Sequence, residues 1–317
     1  MSRYVKISTI GAPSLPENSF LLPEDVWAYA ERILKEQVSQ VLPDCPDLIV
    51  LPEMCDMPLW YTMKQRDDYI NSRGDRNVDF FSGLAKENRC NIAFSTVRKA
   101  SSDYYLNTLY MLDRDGNIAG TYDKNHLYIG EYTQNTRCGT DESVITLDIG
   151  NAGCVICYEL NIDELRLRYQ NAKPDILIFS SLFHGGLLQQ IWAQSCRAYF
   201  VSSIAHSRPS CIISPLGEIL AYTTNYTNHV TATVNFDYAL AHLDSHENKL
   251  RALKKEFGPE VMIHDPGNLG YVMITSESDI VSAEMMLKQY NIMPLDEYIQ
   301  LSLELRNDPK HQKEAGD

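Results

Sequence analysis

The sequence predicts a layered α/β domain followed by a charged tail. Two observations predict it. Apolar strand-like runs alternate with amphipathic helical stretches from residue 4 to about 237, and turn-rich hairpins are interspersed among them. No short-period repeat and no low-complexity tract interrupts the pattern.

Residues 4–10 (YVKISTI) alternate as a strand does. Over 24–42, Val26, Trp27, Ala30, Ile33, Leu34, Val38, Val41 and Leu42 recur at helical spacing, with Pro23 at the entrance. The run DLIVLPE, 47–53, is continuously apolar until it ends on Glu53, as in a strand buried on both faces. A helix over 80–90 and strands over 91–97 and 105–113 follow. DRDGN at 113–117 signals a hairpin whose return strand is 118–123. Past a polar loop at 130–142, strands are expected at 143–149, 152–157, 175–181 and 200–207. Helices are expected at 164–172 and 187–199. A second hairpin turns at Pro215, Leu216 and Gly217, and HVTATVNFD closes the series.

These elements define a first domain, 1–240, and a C-terminal extension, 241–317. In the extension, SHENKLRALKKEF, SAEMMLKQY and LDEYIQLSLELR read as helices and DPGNLGYVMITS as a turn with one strand. Its few apolar residues predict that it packs on the first domain or on a neighbouring subunit rather than folding alone.

The chain has 28 Lys and Arg against 42 Asp and Glu, a formal charge of −14. That balance is a poor match to a nucleic-acid binder, which needs a basic footprint, and suits small-molecule chemistry. The first twenty residues lack the apolar core of a signal peptide, and no run reaches the roughly 20 apolar residues of a membrane helix. A cytoplasmic location is therefore expected, with no membrane partner and no nucleic-acid partner. The eight scattered cysteines point to reduced thiols.

Cys154 and Cys157 have CxxC spacing inside the apolar run AGCVIC. In a strand, positions three apart face opposite sides, so the two sulfurs cannot form a disulfide. The other cysteines supply no second ligand pair, so no metal site is expected. Cys154 reads as core. Cys157 ends the strand just before a helix-forming segment, an elbow at the sheet edge where backbone N–H groups are free to hold an oxyanion. Glu53 and Lys124 also end apolar strands. Three ionisable groups at strand ends form a candidate catalytic set.

At these residues the sequence resembles the nitrilase superfamily of carbon–nitrogen hydrolases. LPE carries Glu53, YDKNHL carries Lys124 and GCVICYEL carries Cys157. NTLYMLDRDGNIAGTYDK, WAQSCRAYFVSSIA and IISPLGEILA also resemble family segments, and the likeness covers residues 1–240. The resemblance implies a four-layer α-β-β-α sandwich with mixed sheets, a homo-oligomer (dimer or higher) and no cofactor.

It further implies an amidase-type thiol hydrolase acting on a small molecule, with a nitrilase and a catalytically silent scaffold subunit as alternatives. Cys157 is then the nucleophile, its thiolate favoured by Lys124. Glu53 is the general base, and Lys124 with the Tyr158 N–H holds the oxyanion. A second glutamate is expected after the lysine, with Glu131 preferred over Glu142. His184 either lines the pocket or holds its loop, and Trp60 and Tyr61 either wall the pocket or pack in the core. His126 is either a proton shuttle or structural. Arg197 is expected in a structural ion pair.

Relatives carry C-Y-D-x-R where this chain has Cys157, Tyr158, Glu159, Leu160 and Asn161. Glu159 is expected to cap the following helix. The missing arginine argues against a carbamoyl amino acid substrate. Loops at 54–75, 126–142 and 182–190 are expected to shape the pocket.

Overall fold

The computed structural model describes residues 2–11, 15, 21–101, 103–140, 144–205 and 209–313. The chain divides into two compact units, one of Val5–Val234 and one of Met1–Tyr4 with Asn235–Asp317.

The larger unit opens with β1 (Tyr4–Ile10), α1 (Pro23–Ser39) and β2 (Leu48–Val50). Helices α2 (Met63–Arg73) and α3 (Arg76–Asn88) lead into β3 (Asn91–Lys99), β4 (Tyr105–Leu112) and β5 (Ile118–Asp123). After the short α4 (Ile129–Tyr132) come β6 (Ile145–Leu147), β7 (Gly150–Ile156) and a 3-10 turn, Cys157–Asn161. Then follow α5 (Asp163–Ala172), β8 (Ile176–Ser181), α6 (Leu188–Cys196), β9 (Tyr199–Ile204), β10 (Cys211–Ile213), β11 (Ile219–Tyr222) and β12 (His229–Asn235).

The strands form two mixed six-stranded sheets, ordered β12-β1-β2-β3-β4-β5 and β11-β10-β9-β8-β7-β6. Parallel pairing of β1 with β2 and of β2 with β3 gives way to antiparallel hairpins at β3–β5. In the second sheet β7, β8 and β9 run parallel.

The sheets face each other through small hydroxyl side chains. Thr9 donates to the Ser202 carbonyl at 2.6 Å, Ser203 to that of Ile10 at 2.7 Å and Ser180 to that of Leu51 at 2.8 Å. Short buried hydroxyls bring two backbones close while keeping every polar atom bonded. On the outer faces, α1 and α3 bury Trp27, Leu34 and Phe81 against the first sheet. Helices α5 and α6 bury Tyr169 and Trp192 against the second. The result is the expected four-layer α-β-β-α sandwich.

The segment 54–75, expected as loop, contains α2. Thr62 caps it, its hydroxyl accepting from the Gln65 N–H while the Gln65 side chain accepts from the Thr62 N–H.

The smaller unit contains β13 (Tyr238–His242), α7 (Glu247–Phe257), β14 (Val261–His264), β15 (Tyr271–Ser276), α8 (Ala283–Gln289) and α9 (Leu295–Asn307). Its sheet runs β13-β15-β14, antiparallel throughout. Leu250, Leu253, Val272, Ile274, Met286 and Leu287 form a hydrophobic core of its own. The expectation of one strand is corrected. Two strands of four or five residues escape period counting, yet they complete a sheet that buries this core.

Candidate active site

Glu53, Lys124 and Cys157 come from three different strand ends. Glu53 lies three residues past β2, Lys124 directly follows β5 and Cys157 directly follows β7. The backbone bends sharply at two of these ends. Cys157 has φ 52° and Met54, next to Glu53, has φ 52°. Both are left-handed conformations that cost a non-glycine residue energy and cluster at functional sites.

Two carboxylates meet around one buried ammonium. Lys124 Nζ lies 3.0 Å from Glu53 Oε1 and 2.9 Å from Glu131 Oε2. All three side chains are at most 2% exposed. Glu131 sits on α4 and also accepts from the Tyr128 N–H at 3.1 Å. Glu53 Oε2 accepts from the Leu182 N–H at 3.1 Å.

Sequence reasoning missed Asn107. Its amide Nδ2 bridges the two carboxylates, at 2.8 Å from Glu53 Oε1 and 3.1 Å from Glu131 Oε1. Ser95 holds its carbonyl oxygen at 3.2 Å. The available signal was a lone amide inside the apolar strand YLNTLYML.

Charge sets the state of each group. Burial works against the Lys124 ammonium, yet Glu53, Cys157 and Glu131 outweigh it and hold its pKa above the ordinary lysine value. Burial and the Glu53 charge push the Cys157 thiol up to about 12, against the opposing pull of Lys124. Lys124 pulls towards the thiolate, and burial together with the Glu53 charge outweighs that pull.

The site opens on a cavity of about 760 Å³. Glu53, Glu131 and Cys157 line it together with Tyr61, Arg66, Tyr128, Tyr158, Asn161 and Phe183. Arg66, one of its charged walls, comes from the segment expected to be loop.

Trp60 and His184 are not among the lining residues. Trp60 packs edge-on against Tyr61, ring centres 5.9 Å apart, on the apolar cluster under α1. His184 Nδ1 accepts from the Gly186 N–H at 3.1 Å, and its carbonyl from Gln189. Arg197 caps α6 in a left-handed conformation, its guanidinium donating to the Gln194 carbonyl at 2.5 Å. Glu142 lies outside the described residues.

Glu159 does not cap α5. It is fully buried, and its Oε1 accepts from Tyr122 OH at 2.7 Å and from the N–H groups of Asn125 and His126 at 2.7 and 3.0 Å. Its Oε2 accepts from the Ile156 N–H at 2.8 Å. One carboxylate thereby ties the segment after Lys124 to the residue before Cys157. His126 Nδ1 lies 3.7 Å from the same carboxylate, and His126 is not a cavity residue.

The eight cysteines are free, and Cys154 is buried in β7. Among the described residues no group of three or more His, Cys, Asp or Glu side chains is arranged to hold a metal ion. None of their helices is long and apolar enough to cross a membrane.

Comparison with known proteins adds a family. The sequence model described as carbon–nitrogen hydrolase matches residues 18–241. A protein called "Hydrolase in agr operon" from Staphylococcus lugdunensis is 25% identical over 209 residues, covering 60% of this chain and 88% of that protein. The chloroplastic omega-amidase of Arabidopsis thaliana is 23% identical over 239 residues, covering 66% of this chain and 63% of that one. Among solved structures, Nit3 of Saccharomyces cerevisiae, described as a member of branch 10 of the nitrilase superfamily, aligns with a TM-score of 0.59 at 19% identity. That alignment spans 81% of this chain and 95% of that one.

Proposed function

The chain belongs to the carbon–nitrogen hydrolase family of the nitrilase superfamily, and on that premise we propose that it is an amidase cleaving a small non-peptide amide through a thioester on Cys157. The observation that carries this reading is a thiol and a carboxylate lining one cavity, Cys157 and Glu53, with the buried Lys124 ammonium 3.0 Å from that carboxylate. Omega-amidase among the named relatives favours an amide over a nitrile.

The steps follow from the charges. The thiol is neutral at pH 7, so its proton leaves only as the sulfur bonds to the amide carbon. Glu53 accepts that proton as general base. The oxygen of the tetrahedral intermediate turns negative beside the Lys124 ammonium and the N–H of Tyr158 in the first turn after Cys157. Losing one such donor typically costs about 3–4 kcal/mol of barrier. Glu53 then returns the proton to the nitrogen, the carbon–nitrogen bond breaks and ammonia or an amine leaves. Water, deprotonated by Glu53, adds to the thioester. The carbon–sulfur bond breaks and the thiol regains the proton. Glu131 and Asn107 act as positioning residues: they hold Lys124 and Glu53 in place.

Incubation with a panel of amides and nitriles, read by intact-mass spectrometry and ammonia release, tests this. A covalent acyl adduct that disappears in Cys157→Ala, together with loss of turnover by about four orders of magnitude or more, is expected. Full activity in Cys157→Ala would remove the nucleophile. No adduct and no ammonia across the panel would favour a silent scaffold.

A further inference from the structure

The cavity wall contains a second cation whose charge the amidase steps do not use. Arg66 lies on α2 and is 9% exposed. Its Nη1 donates to Gln134 Oε1, and the Tyr105 ring lies 5.4 Å from the guanidinium carbon. Nε and Nη2 are buried and have no hydrogen-bond partner. These two nitrogens share one edge of the planar guanidinium, the edge that meets both oxygens of a carboxylate. Buried donors of this kind are ordinarily satisfied, and an orphaned pair on a residue that lines a cavity points to a ligand.

We propose that Arg66 is the specificity residue of the cavity, and that the substrate is an amide whose acyl chain carries a carboxylate, bound two-pronged by the Arg66 Nε and Nη2 edge. The proposal rests on the amidase reading and names its substrate class. Two further facts fit it.

The two carboxylates of the site, Glu53 and Glu131, are already bonded to Lys124 and Asn107, which leaves the Arg66 edge for an incoming anion. Helix α2 is anchored by the capping box at Thr62 and by Gln134 on the guanidinium, so the edge is held before substrate arrives.

The test compares glutaramate, a monoamide with a terminal carboxylate, with pentanamide, the uncharged amide of the same chain length. Wild type is expected to favour glutaramate in kcat/KM. Arg66→Met is expected to lower the glutaramate-to-pentanamide ratio by about 30-fold or more, chiefly through KM, and Arg66→Lys to recover part of it. An unchanged ratio in Arg66→Met, or a wild-type ratio at or below one, would overturn the assignment.

Calorimetric binding of glutarate to Cys157→Ala, with and without Arg66→Met, needs no turnover and is expected to weaken about 30-fold. Equal affinity in the two proteins would also overturn it. If wild type turns over neither amide, the panel of amides and nitriles decides the amidase reading, and the calorimetry alone decides the role of Arg66.

Discussion

Two buried ionic clusters lie a few residues apart in the larger unit, and they are built to different ends. In one, Arg73 Nη1 lies 2.5 Å from Asp56 Oδ2. Its other donors go to Thr96, to the Val97 carbonyl and to the Gly74 carbonyl. Asn77 and Thr96 complete the carboxylate. One cation meets one anion, and each of the three guanidinium nitrogens is bonded. In the other, two carboxylates on the wall of a cavity share Lys124, beside a thiol whose proton is held tightly. Arg66, seven residues before Arg73 on the same helix, keeps two donors open. Asp56 outweighs burial and holds the Arg73 pKa above the ordinary value, whereas burial wins at Arg66 and lowers it. A closed cluster fixes a fold; an open one has charge left for a ligand.

The sharpest way to break this comparison is to neutralise one carboxylate in each cluster. Glu53→Gln removes the proposed base, and turnover is expected to fall by roughly 10²–10⁴-fold. Asp56→Asn leaves the Arg73 charge buried without its partner, and stability is expected to fall by about 3–5 kcal/mol. The kcat of the folded Asp56→Asn fraction should stay within about threefold of wild type. Thermal melts and initial rates on both variants measure this. The reverse pattern, an unstable Glu53→Gln and an inactive but stable Asp56→Asn, would erase the distinction.

The thiol gives a second, smaller test. With a pKa of about 12 it should react slowly with iodoacetamide at pH 8, the rate climbing about tenfold per pH unit through pH 10. Glu53→Gln removes a cause of that elevation, so alkylation should speed up while turnover collapses. Faster turnover together with faster alkylation would contradict Glu53 as base. Stability carries the same sign. The folded pKa lies above the ordinary 9.0, so this stabilisation is complete below pH 9 and is lost as the pH rises towards about 12. Wild type should lose melting temperature faster than Cys157→Ala across that window.

The contrast also shows what the amino-acid order reveals. Glu53, Lys124 and Cys157 were legible because each ends an apolar strand, and a charge there has nowhere to go but an edge of the sheet. Helix α2 was not legible. Its buried positions, Arg66, Tyr69, Ile70 and Arg73, follow helical spacing, but two of the four are arginines. A hydrophobic period cannot register a face that buries charge. Asn107 hid for the opposite reason, as one amide in a strand whose neighbours are apolar. The strands of the smaller unit were too short to show a period.

Glu159 supplies the mildest perturbation. Sequence logic placed it as a cap on α5, where losing the charge would cost a few tenths of a kcal/mol of dipole interaction. Its carboxylate instead receives four donors, three of them backbone N–H groups, from the strand end before Cys157 and from the residues after Lys124. A glutamine offers one acceptor oxygen where the carboxylate offers two. Whichever way its amide turns, an NH₂ group then faces Ile156 N–H or the Asn125 and His126 pair. Glu159→Gln is therefore expected to cost about 1–3 kcal/mol, the penalty of a buried donor left without an acceptor. The catalytic rate should also fall, by about tenfold, as the spacing between Lys124 and Cys157 loosens. Urea unfolding and kcat on the same preparation measure both. A loss confined to a few tenths of a kcal/mol, with kcat intact, would return Glu159 to the role of an ordinary helix cap.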